Sequence, residues 1–325
     1  MSSSSVVFLV GAPRSGTTWL QQLLGTHPGI ATPQETDLLD LYVASWLKSW
    51  RLQLAGGLEP GRRARGLPTV FTEEQFLNIV RGVLDQVYGT VLEHKPGATV
   101  VLDKNPFHSY HVADALRLLP QAGVIHLIRD GRDVACSLMR AAERKWGRGW
   151  APTHVDGAAA LWRETVEAAR TAAAGERYVE VRYEELYSAA ATSMLASLYG
   201  FCDVDPDESL ARTALERFDL DRLRSLPPTE QPSSIVWAGE ALARLGDTPL
   251  EPEGFLGGGR VGAWRERFSP YDRWLFDRVA GDLLLELGYE PNRTWVGVGA
   301  AGRAGARGRH FAARASYRAR RLLPG

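Results

Sequence analysis

The sequence predicts an α/β fold: a single domain with a mostly parallel central sheet, flanking helices and a P-loop-like phosphate-binding loop. Short β-branched runs alternate with segments of helical periodicity, and a glycine-rich turn follows the first run. The chain has 325 residues and is 45% hydrophobic, which is enough to bury one large core. Ligands of such folds bind beyond the carboxyl ends of the strands, so we expect the functional residues there.

Each element follows from its own pattern. The predicted strands are residues 6–10, 99–103, 123–129 and 178–182. The predicted helices are residues 108–119, 132–144, 157–174, 188–200 and 269–289. Residues 37–70 and 219–260 do not follow the alternation, and we expect them, with residues 142–156, to form lids on the acceptor side of the site.

Charge separates the end of the chain from the rest. Residues 1–290 carry a net charge of about −8, whereas residues 291–325 contain eight arginines and no acidic residue. We therefore treat 1–290 as the folded domain and 291–325 as a basic tail. Two alternatives stay open for the tail: a solvated, poorly ordered end, or an amphipathic helix on the domain, a second subunit or an anionic surface. The sequence leaves the oligomeric state undecided.

The N-terminal region and the cysteines indicate a cytoplasmic protein. The first apolar stretch covers only residues 6–10 and has no basic flank, so it predicts a strand and neither a signal peptide nor a transmembrane segment. Cys136 lies in the predicted helix 132–144 and Cys202 lies just after the predicted helix 188–200, and the two match no metal-ligand or C-x-x-C spacing. We expect a reducing compartment and no metal requirement.

The first loop predicts an anion site. Gly11 and Gly16 have the spacing of G-x-x-x-x-G-K-[ST], but Thr17 stands at the lysine position. The backbone N–H groups and the helix dipole still attract an anion, and further donors come from Arg14, Ser15, Thr17 and Thr18. Without the lysine, the loop suits the 5′ oxyanion of a nucleotide better than a triphosphate with magnesium.

A second anion site is predicted where residues 127–139 pass from strand to helix. Arg129 ends the strand and Ser137 lies eight residues later on the next helix, so guanidinium and hydroxyl can converge on one anion. Two anion sites at one sheet edge predict a ligand that is phosphorylated at both ends.

Five motifs occur in order: GAPRSGTTWL, DKNPF, LIRDGRDVACSL, VRYEEL and GRVGAWRERF. From residue 6 to about 288 they resemble the motifs of sulfotransferases that use 3′-phosphoadenosine-5′-phosphosulfate (PAPS), leaving adenosine 3′,5′-bisphosphate. The pattern is closer to the Golgi and tyrosylprotein branch than to the cytosolic branch. The resemblance implies that Arg14 to Thr18, including Gly16, hold the 5′ phosphosulfate and that Arg129 and Ser137 hold the 3′ phosphate.

The resemblance also assigns Trp19 to stacking on adenine and Tyr183 to the adenine edge. The C-terminal flap, residues 257–264, departs from the R-K-G-x-x-G-x-W pattern of the cytosolic branch. Gly257 and Gly258 stand where that pattern has Arg and Lys, whereas Gly262 is retained. Arg260 and Arg265 are the two candidates for the lost charge at the 3′ phosphate.

Sulfuryl transfer needs a cation at the leaving oxygen and a base for the acceptor. Lys104, one of only four lysines, ends a predicted strand and is the candidate cation. The histidine that follows this lysine in the cytosolic branch is replaced by Pro106. Similarity to the Golgi branch makes Glu35 the first candidate base, and His108 is the second.

The acceptor is not specified by any motif. Trp46 with Trp50 and Trp146 with Trp150 form pairs at i, i+4 that either pack in the core or line a cleft for an aromatic or lipophilic small-molecule alcohol or phenol. No nucleic acid is expected as a partner. Two alternatives to a sulfotransferase are a small-molecule kinase with a P-loop and a non-catalytic module that binds a 3′,5′-bisphosphate nucleotide.

Overall fold

The computed structural model of the chain describes residues 5–57, 65–172, 177–236, 251–252, 254–255 and 259–297. The chain divides into two compact units. The first is Met1–Arg129 with Glu164–Gly259, and the second is Asp130–Arg163 with Arg260–Gly325. Most of the arginine- and glycine-rich stretch GRRARG at residues 61–66, and most of the basic tail, lie outside the described residues.

The first unit contains a five-stranded parallel sheet, which confirms the predicted fold class. The strands are β1 Ser5–Val10, β2 Ile30–Ala31, β3 Val100–Lys104, β4 Gly123–Ile128 and β5 Tyr178–Arg182, in the order β2-β3-β1-β4-β5. All pairs are parallel. The chain runs from β1 to the edge strand β2, returns to β3 beside β1, and then crosses to β4 on the other side of β1 and on to β5. The switch point therefore lies at the carboxyl end of β1, where such sheets bind ligands.

Alternation along β1 explains how the sheet is covered on both faces. Val7 and Leu9 belong to one buried apolar cluster, whereas Val6, Phe8 and Val10 belong to another. Because successive side chains point to opposite faces, an uninterrupted apolar strand must be covered twice. Burial on both faces fixes β1 at the centre of the sheet and with it the position of the loop that follows.

The helices of the described residues confirm most of the sequence pattern. They are α1 Thr17–Gly25, α2 Ala44–Gly57, α3 Glu73–Glu93, α4 Val112–Leu118, α5 Gly131–Glu143, α6 Val155–Ala172, α7 Ala191–Phe201, α8 Glu208–Arg217, α9 Leu220–Ser225, α10 Trp264–Arg267 and α11 Pro270–Glu286. The predicted helix over 108–119 is divided into a 3₁₀ turn Pro106–Tyr110 and α4.

Three features were absent from the sequence prediction. β2 has only two residues, too few for a recognisable strand pattern. The long helix α3 begins with a capping box between Thr72 and Gln75, a signal that the sequence contains. Residues 37–70 are mostly helical where described, with a π-helical turn Leu38–Val43 before α2 and a 3₁₀ turn Leu67–Thr69 after it.

Residues 219–260 contain α9 and a 3₁₀ turn Pro228–Glu230, and residues 237–250 lie outside the described chain. The role of these segments, and of residues 142–156, as lids stays a prediction. Within the described residues, no helix is both long and apolar enough to cross a membrane.

The second unit has its own buried ion pairs. Arg132 donates to Asp130 at 2.8 Å and to Glu290 at 2.6 Å, and its guanidinium lies 3.7 Å from the centre of the Trp264 ring. The 3₁₀ turn Arg293–Val296 brings Trp295 against Trp264. The buried Arg132 guanidinium is thus paired with two carboxylates and covered by an aromatic ring. These contacts fix the start of α5 within this unit.

Candidate functional site

The glycine loop between β1 and α1 is shaped by backbone geometry that other residues do not easily adopt. Gly16 has φ +101°, and a Cβ atom there would lie 2.6 Å from the Tyr183 ring. Arg14 also has positive φ, at +74°. The turn closes with a hydrogen bond from Ser15 N–H to Ala12 O at 3.0 Å. Glycine at this position thus permits both the turn and the close approach of Tyr183.

The first turn of α1 has the features of an anion-binding site. Ser15, Thr17 and Thr18 are buried, and Ser15 Oγ has no hydrogen-bond partner among the described residues. Helix N-termini leave N–H groups without intrahelical partners, and the N-cap here is Gly16, which has no side chain to accept from them. An orphaned hydroxyl beside free N–H groups fits the predicted phosphosulfate end of a nucleotide.

Lys104 is positioned beside this loop by sheet register. It ends β3 and pairs with Leu9 of β1, two residues before Gly11. Its Nζ atom donates to Thr18 Oγ1 at 3.1 Å and to Glu35 Oε1 at 2.5 Å. The Lys104 side chain is 0% exposed and that of Glu35 is 39% exposed. A buried ammonium is thus paired with a carboxylate that reaches solvent, and the roles of Lys104 as cation and Glu35 as base stay predictions.

Arg14 is held by the chain segment around residue 255. Its guanidinium donates to the Phe255 carbonyl oxygen and lies 4.3 Å from the centre of the Phe255 ring. Carbonyl and ring face both favour a cation. Arg14 therefore lies in the loop with its guanidinium against Phe255, and its role in holding the phosphosulfate stays a prediction.

Arg129 follows β4 directly and lies over the ring of Tyr183, at 4.1 Å from its centre. The Tyr183 hydroxyl is 2.7 Å from that of Tyr187 and donates to Gly259 O at 2.9 Å. Burial raises the pKa of Tyr183, while the nearby Arg129 charge opposes that shift. Arg129 and Tyr183, both predicted to bind PAPS, are thus in direct contact. Tyr183 is neutral at neutral pH and can form hydrogen bonds.

Trp19 is buried behind Tyr183. Its indole N–H donates to Phe218 O at 2.8 Å, and its ring meets Tyr183 edge-on with the ring centres 5.7 Å apart. Stacking of Trp19 on adenine stays a prediction.

His108, the second candidate base, is buried against a carboxylate. Its Nε2 atom lies 3.4 Å from Asp103 Oδ2, and both side chains are fully buried. Tyr88 also donates to Asp103, at 2.9 Å. A base must reach the acceptor hydroxyl, so this location favours Glu35 over His108.

Four further candidates belong to the second unit. Ser137 lies on α5 and is buried. The Gly262 N–H donates to Asp133 Oδ2 at 2.7 Å, Arg260 pairs with Glu266, and the Arg265 guanidinium lies 4.8 Å from the centre of the Trp264 ring. Their roles at the 3′ phosphate stay predictions.

The tryptophan pairs differ in environment. Trp50 is buried and stacks on Phe76 with ring centres 4.5 Å apart, whereas Trp46 is on the surface. Trp150 is exposed and donates to Trp146 O at 3.0 Å. Trp50 is thus a core residue, and Trp46 is the member of its pair that can meet an acceptor.

Glu251 is a site residue that the sequence analysis missed. Burial raises the pKa of Glu251 to about 7, Glu35 adds to the shift, and Lys104, a hydrogen bond from Gln34 and Arg14 oppose it. It comes from a Pro- and Gly-rich segment without a motif, so only the tertiary structure brings it to the loop.

Comparison with known proteins identifies the family of this chain. Residues 6–208 match the model of a family described as "Sulfotransferase family". The chain belongs to the sulfotransferase family. A putative protein-tyrosine sulfotransferase of Caenorhabditis briggsae is 28% identical over 140 residues, covering 43% of this chain and 44% of that protein. The nodulation protein NoeE of Sinorhizobium fredii is 28% identical over 313 residues, covering 88% and 66%.

The chain thus spans between about half and two thirds of these two curated relatives. Among solved structures, the mouse sulfotransferase SULT7A1 complexed with PAP is similar with a TM-score of 0.50 and 17% identity, covering 86% of this chain and 84% of that one. The sulfotransferase domain from the curacin biosynthetic pathway has a TM-score of 0.50 and 20% identity, covering 86% and 97%. At these identities the likeness establishes the sulfotransferase fold.

Proposed function

We propose that this protein transfers a sulfuryl group from PAPS to a hydroxyl of a small-molecule acceptor, releasing adenosine 3′,5′-bisphosphate. The observation that carries the proposal is the pair of Lys104 and Glu35 beside the lysine-free glycine loop. The loop offers an anion site without the cation that γ-phosphate chemistry needs, and the pair supplies the two groups that sulfuryl transfer needs.

In this mechanism the loop N–H groups, Ser15 and Arg14 hold the phosphosulfate end of the donor. Glu35 takes the proton of the acceptor hydroxyl as that oxygen forms its bond to sulfur. The bond from sulfur to the bridging oxygen breaks, and Lys104 donates a hydrogen bond to the departing phosphate oxygen. As Lys104 turns toward that oxygen, its hold on Glu35 weakens, and the carboxylate becomes a stronger base.

Phenols are the first acceptors to test. Leu41, Tyr42 and Trp46 follow Glu35 in the chain and are exposed, so the segment after the proposed base offers apolar and aromatic surface. Curated relatives of this chain are named protein-tyrosine sulfotransferases, which also favours a phenolic hydroxyl. Both observations support an aromatic or lipophilic acceptor.

The cytoplasm is the compartment that we propose. Cys136 and Cys202 are buried free thiols, and burial raises the pKa of each to about 12, so neither is a reactive thiolate. Fractionation of cells that express a tagged chain tests this assignment.

The decisive experiment is transfer of labelled sulfate from PAPS to a panel of phenols, alcohols and tyrosine peptides. We expect Glu35→Gln to lower kcat by about 10²- to 10⁴-fold with unchanged binding of adenosine 3′,5′-bisphosphate. The matched control is Glu93→Gln, an exposed glutamate at the end of α3, which should leave kcat unchanged.

A thermal-shift comparison separates the proposal from its alternatives. Adenosine 3′,5′-bisphosphate without magnesium should stabilise the protein, by about 2.7 kcal/mol at a hundred times its Kd, and ATP with magnesium should not. Stabilisation by ATP and magnesium alone would instead support a kinase. Binding of the bisphosphate without transfer to any acceptor would support a non-catalytic nucleotide-binding module.

A further inference from the structure

Glu251 lies among the cations that the proposed donor needs. Lys104 and Arg14 both act on its carboxyl group electrostatically, Gln34 donates a hydrogen bond to it, and Glu35 opposes its charge. The mechanism above has no task for this second carboxylate. A carboxylate close to an anion site raises the energy of any bound anion unless it is neutral or moves away.

The same segment contacts the site at two further points. Phe255 accepts a hydrogen bond from Arg14 and covers its guanidinium, and Gly259 O accepts from the Tyr183 hydroxyl. Glu251, Phe255 and Arg224 line one cavity of about 400 Å³. Phe255 and Gly259 therefore contact residues assigned to the donor, and Glu251 adds a negative charge to the cavity that it shares with Phe255.

We propose that Glu251 is a competing anion of the donor site, and that binding of the donor is coupled to protonation of its carboxylate. The proposal rests on the proposed function and deepens it. In the ligand-free protein the Glu251 carboxylate neutralises part of the charge of Arg14 and Lys104. The anionic donor requires that charge, so the protein with a neutral Glu251 binds it more tightly.

The acid–base chemistry of the cluster supports this coupling. Burial is the largest cause that raises the pKa of Glu251 to about 7, so the group changes charge in the neutral range. The groups that act on it are Lys104, Glu35, Gln34 and Arg14, and Arg224 lines the shared cavity. The donor adds negative charge and shifts the pKa of Glu251 further upward, so a proton is taken up on binding above pH 7.

The sign and size of the effect follow. Affinity for the donor falls as pH rises through 7, and where only the protonated form binds, the fall is roughly 25-fold between pH 6.5 and 8.5. The phosphates of the ligand titrate near pH 6, and they titrate equally in the wild type and in a variant at residue 251. The difference between the two proteins isolates Glu251.

The experiment is calorimetric titration of the full chain with adenosine 3′,5′-bisphosphate at pH 6.5, 7.5 and 8.5, in buffers of different ionisation enthalpy. We expect the wild type to take up close to one proton at pH 8.5. Glu251→Gln should take up none and bind about tenfold more tightly than the wild type at pH 8. Glu230→Gln, an exposed glutamate of the same unit, is the matched control and should behave as the wild type.

Each outcome decides a different point. Binding by the wild type without proton uptake, or the same pH slope in Glu251→Gln, overturns the role of Glu251 and leaves the proposed function standing. No binding by the wild type at any pH overturns the proposed function itself. Where Glu251→Gln does not fold, Glu251→Ala replaces it, and the proton uptake of the wild type decides without a variant.

Discussion

Lys104 Nζ lies 2.5 Å from Glu35 Oε1, although 69 residues separate them in the chain. The sheet order explains the contact. β2 pairs with β3 in parallel, so the residues that follow Ala31 and the residue that ends β3 emerge at the same edge. The polypeptide therefore brings a carboxylate to the one lysine beside the glycine loop, and a buried ammonium gains its counter-ion without a dedicated motif.

Replacement of this lysine tests its role at the leaving oxygen. Lys104→Ala should lower kcat by about 10²- to 10³-fold, the usual cost of losing one donor at a site of developing charge. Because the loop N–H groups remain, binding of adenosine 3′,5′-bisphosphate should weaken much less than kcat falls. Steady-state kinetics with labelled PAPS and calorimetry give the two numbers. The control is Lys48→Ala, an exposed lysine, and an equal loss in both variants contradicts the assignment.

The shape of the glycine loop gives a second prediction. Gly16→Ala places a Cβ atom 2.6 Å from the Tyr183 ring at φ +101°, so the loop and Tyr183 cannot both keep their positions. We expect loss of detectable nucleotide binding and a destabilisation of about 1–3 kcal/mol, measured by calorimetry and urea unfolding.

Gly82→Ala is the matched control for this change. Gly82 lies within α3 with no atom within 4 Å of the added Cβ, so the substitution should stabilise the protein by up to about 1 kcal/mol. Unimpaired binding in Gly16→Ala would show that the loop does not contact the nucleotide.

The sequence predicts the strands that carry a long local pattern and misses those that are set by tertiary packing. β1 is apolar and buried from Val6 to Val10, and β4 is buried throughout and interrupted only by His126. Such runs identify central strands of a parallel sheet from the sequence alone. The loop and Lys104 follow directly from those strands. β2 is too short to carry a pattern, and its pairing with β3 is decided by tertiary packing.

The site shows the same division. Lys104 is predictable from the DKNPF motif and Glu35 from the resemblance to the Golgi branch, whereas Glu251 lies in a segment with no pattern of its own. The chemistry of His108 suggested a base from sequence, but its burial against Asp103 depends on packing that no local motif records. Groups whose role depends on charge and burial are the ones that sequence reasoning predicts least.

Arg129 gives a prediction that distinguishes the two ends of the nucleotide. If Arg129 holds the 3′ phosphate, Arg129→Gln should weaken binding of adenosine 3′,5′-bisphosphate by roughly 10- to 100-fold, as expected for loss of a charge-assisted contact. Binding of adenosine 5′-monophosphate should not change. Competition titrations with both ligands measure the ratio, and an equal loss for both nucleotides argues for a general effect on folding through Tyr183.

Asp103 provides a test of stability. Burial alone would raise the pKa of Asp103, but the neighbouring His108 and hydrogen bonds from Tyr88 and Thr36 outweigh it, so the pKa lies below its usual value. A carboxyl group whose pKa is lowered on folding stabilises the native state above its unfolded pKa, and this contribution disappears as pH falls through the folded pKa.

Asp103→Asn should therefore lower the free energy of unfolding by about 2–4 kcal/mol between pH 5 and 8, with a smaller difference below about pH 4. Tyr88→Phe removes one hydrogen bond and should cost about 1 kcal/mol in the same range. Urea unfolding followed by circular dichroism from pH 3 to 8 measures both. If the two variants lose the same stability at every pH, the Asp103 charge contributes nothing and only its hydrogen bond from Tyr88 matters.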